Sequence, residues 1–243
     1  MRLLLVSDLH YVLPQLDWVA SVASDYDLVV VAGDLLDISS IVEPDAQIAV
    51  VLEYLSLLAT KTTVVACSGN HDLDSRNAAG ERSAAWLGDA RGSGVHTDGM
   101  HLETDDLMVT VCPWWDGPAT REVVERQLAD AASRIGDRRW IWAYHAPPSD
   151  SPTSWTGRRH YGDEDLARWI GRFRPDLVLS GHVHQSPFVP DGAWIDRIGP
   201  TVVLNAGRQP GPVPSYIEID TASDLARWIS YEGVAELVLA EVS

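Results

Sequence analysis

Five short apolar runs, each ending in a turn with polar side chains, constrain the fold of this chain more than any other feature. Each run has the length of a β-strand, and all five carry valine or another β-branched residue. The runs are RLLLVSD at 2–8, DLVVVAGD at 27–34, TTVVACSGN at 62–70, RWIWAYHAPP at 139–148 and DLVLSGH at 176–182. Between them, apolar residues recur every three or four positions at 45–60 and 119–135, which predicts helices. The alternation of strands and helices predicts an α/β fold.

The last part of the chain follows a different pattern. Beyond about residue 186, the runs TVVLNAG, SYIEID and LARWISYE follow one another through Gly, Pro and Asp rather than through helices, which predicts antiparallel strands. The segment 100–115 is predicted to form a hairpin that turns at Asp105 and Asp106. We therefore expect two sheets packed face to face with helices outside them. The segment 146–162 is expected to be one long irregular loop, which is typical of functional or disordered segments.

Length and composition favour one domain over residues 1–243. Of the 243 residues, 46% are hydrophobic, enough for one sizeable core, and no break in composition marks a second. The amino end carries too few apolar residues for a signal peptide or a membrane span, and no later run is longer. Because Cys67 and Cys112 are the only cysteines, the sequence predicts a reduced, cytoplasmic protein with no membrane partner, although a single disulfide stays open.

The charge of the chain argues against a polynucleotide partner. The formal net charge is −17, and such a field repels nucleic acid at long range unless a local cationic site overrides it. The basic clusters are only pairs, Arg138 with Arg139 and Arg158 with Arg159. Such pairs are typical of solvated loops and helix ends.

Polar side chains that can carry chemistry collect at the ends of the five predicted strands. They are Asp8 and His10 after the first run, Asp34 and Asp37 after the second, Asn70, His71 and Asp72 after the third, His145 after the fourth, and His182 and His184 after the fifth. Ligands bind beyond the carboxyl ends of strands in open α/β sheets, so these groups are predicted to converge. Singly, each is more typical of a turn, a helix cap or a core histidine. It is much less probable that all of them occur together, and in this order, by chance.

The residue types at these strand ends indicate a metal centre. Carboxylate oxygen, imidazole nitrogen and amide oxygen form a ligand set suited to divalent manganese, iron or zinc. Seven such groups are too many for one tetrahedral ion and suit two ions that share a bridging carboxylate. The seven are Asp8, His10, Asp34, Asn70, His145, His182 and His184.

The motifs themselves resemble those of a known family. SDLH, GDLLD, SGNHD, the single histidine of YHAPP, and SGHVH resemble the motif series of the calcineurin-like metallophosphoesterases, over residues 8 to 184. The resemblance implies a four-layer α/β/β/α sandwich, with two mixed β-sheets flanked by helices, and a binuclear metal centre. It implies that Asp8, His10 and His184 bind one ion, that Asn70, His145 and His182 bind the other, and that Asp34 bridges them. His71 then resembles the family's proton donor, and Asp37 the carboxylate that orients it.

The function that the resemblance implies is metal-dependent hydrolysis of phosphoric esters. We expect small phosphodiesters as substrates, with cyclic nucleotides among those to test, attacked by a metal-bridging hydroxide with His71 as general acid. A phosphomonoesterase or a nuclease of the same superfamily is an alternative. A third alternative is a non-catalytic interaction scaffold with the same fold. The intact His71 argues against it, because such scaffolds typically lose that histidine.

Substrate contacts are less constrained by the sequence. Trp114, Trp115 and Trp155 could stack on a nucleobase or serve as packing, and the sequence does not separate the two. Arg158, in the long loop, and Arg208, in the NAGR turn, are candidates to hold a phosphate oxygen. The expected partner is therefore a small-molecule phosphoester, and whether the chain forms a homodimer stays open.

Overall fold

The structure is a computed structural model, and it describes residues 1–242. Its β-strands are β1 Arg2–Val6, β2 Leu28–Ala32, β3 Thr63–Cys67, β4 Ser75–Arg76, β5 Arg82–Ser83, β6 His96–Thr97, β7 His101–Glu103, β8 Leu107–Val111, β9 Arg139–Ala143, β10 Leu177–Ser180, β11 Ile195–Ile198, β12 Thr201–Asn205, β13 Tyr216–Asp220, β14 Leu225–Ser230 and β15 Gly233–Val238. Its α-helices are α1 Leu13–Val22, α2 Pro44–Ala59, α3 Pro118–Arg134 and α4 Glu164–Phe173. None of these helices combines the length and apolar character that a membrane span requires.

Two mixed sheets carry the fold. One has the strand order β15-β14-β13-β1-β2-β3-β6 and the other has the order β11-β12-β10-β9-β8-β7. The strands β1, β2 and β3 are parallel, as are β8, β9 and β10. The predicted hairpin is present, since β7 and β8 pair antiparallel. After residue 186 the expectation of antiparallel strands is right for β11 and for β13 to β15, but β12 also pairs parallel to β10.

The helices lie on the outer faces of the two sheets. Alternate residues of β1 to β3 pack against α1 and α2, while alternate residues of β8 to β10 pack against α3 and α4. The opposite faces of both sheets meet in a central core that draws on residues from Leu3 to Val242. This arrangement confirms the predicted four-layer α/β/β/α sandwich. The two cysteines are free and buried.

The turns that follow the parallel strands are tight, and their backbone is unusual. Asp8, Asp34 and His182 have φ angles of 55°, 53° and 66°, in the left-handed region that L residues rarely adopt. Such strained backbone clusters at functional sites, where the surrounding structure holds it in place. Close packing also requires glycine here, because a Cβ on Gly33 would lie 2.4 Å from the Nδ1 atom of His145.

Candidate metal centre

The two parallel sets of strands end at one edge of the sandwich, and their turns bring the predicted side chains together there. One group contains Asp8, His10, Asp34 and His184, each offering a ligand atom within 4.8 Å of the others. The Nε2 atom of His184 lies 3.1 Å from the Oδ1 atom of Asp8 and 3.1 Å from the Nε2 atom of His10. We call this group the first cluster.

A second cluster shares one of its members with the first. It contains Asp34, His145 and His182, again with ligand atoms within 4.8 Å of one another. The Nε2 atom of His145 lies 3.2 Å from the Oδ2 atom of Asp34 and 3.3 Å from the Nδ1 atom of His182. Asp34 is therefore shared by the two clusters.

The side-chain oxygen of Asn70 indicates that this site can accept a cation. Its Oδ1 atom is buried and has no hydrogen-bond partner within the described residues. A buried acceptor without a partner is costly, and a metal ion supplies the missing one. In the described part of the chain, neither Asp8 nor Asp34 forms an ion pair with lysine or arginine, although both are buried. The residues present thus fit divalent ions.

Hydrogen bonds from the backbone fix the orientation of the candidate ligands. The Nδ1 atom of His145 donates to the carbonyl oxygen of Ala32 at 2.7 Å, since a carbonyl can only accept. This bond orients the ring and directs its Nε2 atom toward the site. The backbone N–H of His182 donates to Asp8, and that of His71 donates to the Oδ1 atom of Asp34.

Asp72 connects two of the turns, a role that no sequence pattern indicated. Its carboxylate is fully buried and accepts the backbone N–H groups of Asp34, Leu36 and Gly69 at 2.8, 2.9 and 2.8 Å. The turns after β2 and β3 are therefore held together through one side chain. Asp72 supports the candidate ligands Asp34 and Asn70 without being part of either cluster.

The ionisation of the side chains favours cation binding. Burial lowers the pKa of His10 to about 4 and that of His182 to about 3, which leaves both imidazoles neutral near pH 7. Burial opposes the charge on Asp34, yet the neighbouring His145 holds the pKa of that carboxyl below its ordinary value. Burial also disfavours protonated His145, but the charge of Asp34 raises its pKa to about 9. Metal ions require neutral imidazoles beside ionised carboxylates, and His10 and His182 already have that state, whereas His145 would release a proton on binding an ion.

His71 and Asp37 lie next to the first cluster. The ring of His71 meets that of His10 edge-on, with centroids 4.6 Å apart, and its Nε2 atom is 3.9 Å from the Oδ2 atom of Asp34. Asp37 lies in the same group of possible ligand atoms as His10 and His71. Its carboxylate accepts hydrogen bonds from Ser39, and no hydrogen bond joins it to the ring of His71 among the described residues. The Nδ1 atom of His71 is buried and without a partner there.

A cavity of about 440 Å³ opens beside the second cluster, and we call it the side cavity. Asn70 and His182 line it on the side of the metal centre, and Trp114 and Trp115 form part of its wall. The remaining residues that line it are Arg82, Asp116, Ala146, Tyr161, Gly162 and Asp163. The structure thus brings two of the three candidate tryptophans next to the candidate ligands.

The other candidate substrate contacts are placed differently. Trp155 packs against His160, and its indole N–H donates to the carbonyl oxygen of Pro190, so it does not line the side cavity. Arg158 is exposed and lies outside the cavity as well. Arg208 lies by the first cluster: its backbone N–H donates to the carbonyl oxygen of His184, and its charge helps to lower the pKa of His10.

Tyr161 is a candidate contact that the sequence interpretation missed. Its ring is 53% exposed and stacks on that of His182, with centroids 5.2 Å apart and planes 18° apart. The guanidinium of Arg159 lies 5.4 Å from the centroid of the same ring. The sequence indicated that the long irregular loop could be functional, but it did not distinguish Tyr161 from the neighbouring loop residues.

The chain is similar to a known family in sequence and to solved structures in fold. The family model of the calcineurin-like phosphoesterases matches residues 1–186. No curated protein sequence matches the chain significantly. Among solved structures, the protein TT1561 of Thermus thermophilus aligns over 98% of both chains, with a TM-score of 0.61 and 14% identity.

A plant enzyme shares the fold over part of its length. The purple acid phosphatase PPD1 from seeds of yellow lupin, Lupinus luteus, aligns over 100% of this chain and 52% of its own, with a TM-score of 0.54 and 13% identity. At these identities the likeness concerns the fold alone.

Proposed function

Because the chain belongs to the calcineurin-like phosphoesterase family, we propose that it hydrolyses small phosphodiesters at a centre of two divalent transition-metal ions. The observation that carries this proposal is the pair of clusters that share Asp34, with the unpartnered oxygen of Asn70 beside them. Asp8, His10 and His184 would hold one ion, and Asn70, His145 and His182 the other, with Asp34 between them. When bound, such a pair of ions supplies a nucleophile at neutral pH and neutralises phosphate charge. Manganese, iron and zinc all suit this ligand set.

His71 is the residue we propose to protonate the leaving oxygen. Its imidazole is partly exposed, with 23% of the side chain accessible, and it borders the first cluster without belonging to it. Imidazole can donate a proton near pH 7, and general acid catalysis of this kind contributes about a hundred- to ten-thousand-fold. Asp37, whose carboxylate lies within 4.8 Å of a ring nitrogen of His71, is the residue we propose to orient that imidazole.

Arg208 is the cation we propose to hold a phosphate oxygen. Its backbone N–H donates to the carbonyl oxygen of His184 at 3.0 Å, which places the residue beside the first cluster. Arginine can bind two phosphate oxygens at once. Room for a second ester arm exists in the side cavity, which favours a diester over a monoester as substrate.

The test is hydrolysis by protein that has been stripped with a chelator and resupplied with manganese, iron, zinc or magnesium. Bis(p-nitrophenyl) phosphate is compared with p-nitrophenyl phosphate. We expect metal-dependent turnover that favours the diester. A preference for the monoester would indicate a phosphatase instead, and no turnover with any ion, on folded protein, would favour a non-catalytic scaffold.

A matched pair of variants tests whether metal binding and turnover depend on Asp34, the proposed bridging residue. Asp34→Asn removes the shared charge and is expected to lose metal and turnover together. Asp89→Asn makes the same chemical change at an aspartate outside both clusters, and it should behave as the wild type. Equal metal content in the two variants would contradict the bridging role of Asp34.

A further inference from the structure

The side cavity and His71 lie on different sides of the candidate metal centre. Asn70 and His182, proposed ligands of the second ion, line the side cavity. His71 instead lines a separate small cavity with Asp37 and contacts His10 of the first cluster. If His71 protonates the leaving oxygen, the leaving arm of a diester lies on the side of the first cluster. The arm that stays on the phosphorus then points into the side cavity.

Flat aromatic faces form much of the wall of the side cavity. The ring of Trp114 lies 5.3 Å from that of His182, and Tyr161 stacks on the same histidine. Trp115 is held by the fully buried Tyr144, with centroids 4.0 Å apart and planes 4° apart. Faces of this kind favour a planar ring, because base–aromatic stacking tolerates any heterocycle.

A hydrogen-bond donor completes the cavity. The Nε and Nη2 atoms of Arg82 donate to the Oδ1 atom of Asp116 at 3.3 and 3.1 Å, which orients the guanidinium. Its Nη1 atom donates to no other group in the described part of the chain, so its N–H groups are available to a ligand that enters the cavity. Since Asp116 balances the charge of Arg82, the pair suits carbonyl oxygens or ring nitrogens of an uncharged heterocycle better than a second anion.

We propose that the side cavity binds the retained ester arm of the substrate and that this arm is a nucleoside. The base lies against Trp114 and Tyr161, with its carbonyl or ring-nitrogen acceptors toward Arg82. A volume of about 440 Å³ falls within the range of about 300 to 1,000 Å³ that small-molecule sites have. This inference rests on the proposed phosphodiesterase function and adds a substrate class to it.

Three diesters with one leaving group separate recognition of the retained arm from the chemistry. They are methyl p-nitrophenyl phosphate, phenyl p-nitrophenyl phosphate and thymidine 5′-(p-nitrophenyl phosphate). Because p-nitrophenol leaves in each case, differences in kcat/KM report on the retained arm. We expect kcat/KM to rise from methyl to phenyl to thymidine, by about tenfold or more overall, as the loss of one base-stacking contact would give.

Two variants of the cavity test whether it is the source of that preference. Tyr161→Ala and Arg82→Gln should each reduce the ratio of kcat/KM for the thymidine ester to that for the methyl ester by about fivefold or more, mainly through KM. Tyr231→Ala removes another exposed tyrosine, which lies outside the side cavity, and it should keep the wild-type ratio. Equal kcat/KM for all three esters, or an unchanged ratio in both cavity variants, would overturn the proposal.

A binding measurement keeps the two proposals distinguishable. Binding of thymidine 5′-monophosphate to metal-loaded protein is measured by calorimetry, and it should weaken in Tyr161→Ala but not in Tyr231→Ala. If no ester is hydrolysed but this pattern of binding is found, the proposed function fails and the nucleoside site stands. If all esters are hydrolysed equally and the nucleotide does not bind, the nucleoside site fails and the phosphodiesterase stands.

Discussion

Replacing Gly181 with alanine should disturb the candidate metal centre through one methyl group. A Cβ at this position would lie 2.3 Å from the Oδ2 atom of Asp8 and 2.3 Å from the Oγ atom of Ser7. Ordinary van der Waals contacts of a Cβ begin at 3.4 Å, so the carboxylate would have to move by 3.4 − 2.3 = 1.1 Å. Asp8 is fully buried and cannot turn toward solvent. The shift therefore moves a proposed ligand of the first ion by about half of a metal–ligand bond length of roughly 2.0 to 2.2 Å.

The expected cost to folding can be worked out from the same overlap. Overpacking of this kind destabilises a protein by about 1 to 3 kcal/mol, which lowers the melting temperature of a chain of this length by about 2 to 12 °C. Melting is measured on chelator-stripped protein, so that lost metal does not contribute, and the metal content of loaded protein is measured by mass spectrometry. We expect Gly181→Ala to melt lower and to bind less metal.

Gly171 provides the matched control for this substitution. It lies in α4, and a Cβ there would meet nothing within 4 Å. Alanine should stabilise that helix by about 0.5 to 1 kcal/mol, with metal content unchanged. If Gly181→Ala keeps the wild-type melting temperature and metal content, the close approach of the two turns does not position Asp8, and the reasoning is wrong.

Three further substitutions test other parts of the account. His71→Ala should keep both metal ions but lower kcat on alkyl phosphodiesters by about a hundredfold or more, and normal turnover would remove His71 from the mechanism. Asp72→Ala leaves three buried N–H groups without an acceptor and should cost at least about 3 kcal/mol in denaturant unfolding; a loss below about 1 kcal/mol would show that the side chain does not hold the turns. Burial raises the pKa of Asp98 to about 6 from 3.8, so the stability that its protonated form contributes is complete below pH 3.8 and is lost as pH rises through 6. Asp98→Asn should flatten this decline, and an unchanged pH profile would contradict it.

The sequence predicts the helices and strands of this fold better than the points where strands end and the way strands pair. The helices expected at 45–60 and 119–135 are observed at Pro44–Ala59 and Pro118–Arg134, because continuous apolar periodicity determines both. The predicted strands end earlier than expected, since the apolar runs include turn residues such as Asp8 and Asp34, whose positive φ angles end the strand. The parallel pairing of β12 with β10 depends on contacts that local patterns do not contain.

The candidate site shows the same division. The seven proposed ligands follow strands whose parallel order brings their ends together, so the motifs were enough to collect them. The long loop was different. Its chain turns back between Thr156 and Arg159, and a bridge pairs Trp155 with His160. That turn leaves Arg158 exposed near the tip and sets Tyr161 against His182. These contacts determine which loop residue reaches the candidate site. The amino-acid composition of the loop does not predict them.

The most direct test of the central claim is the number of metal ions that activity requires. Chelator-stripped protein is titrated with manganese while hydrolysis of bis(p-nitrophenyl) phosphate and bound metal are both measured. Two clusters that share Asp34 predict that turnover rises until two ions are bound per chain and then levels off. Full turnover with one ion bound per chain, or turnover without any, would contradict a binuclear phosphodiesterase.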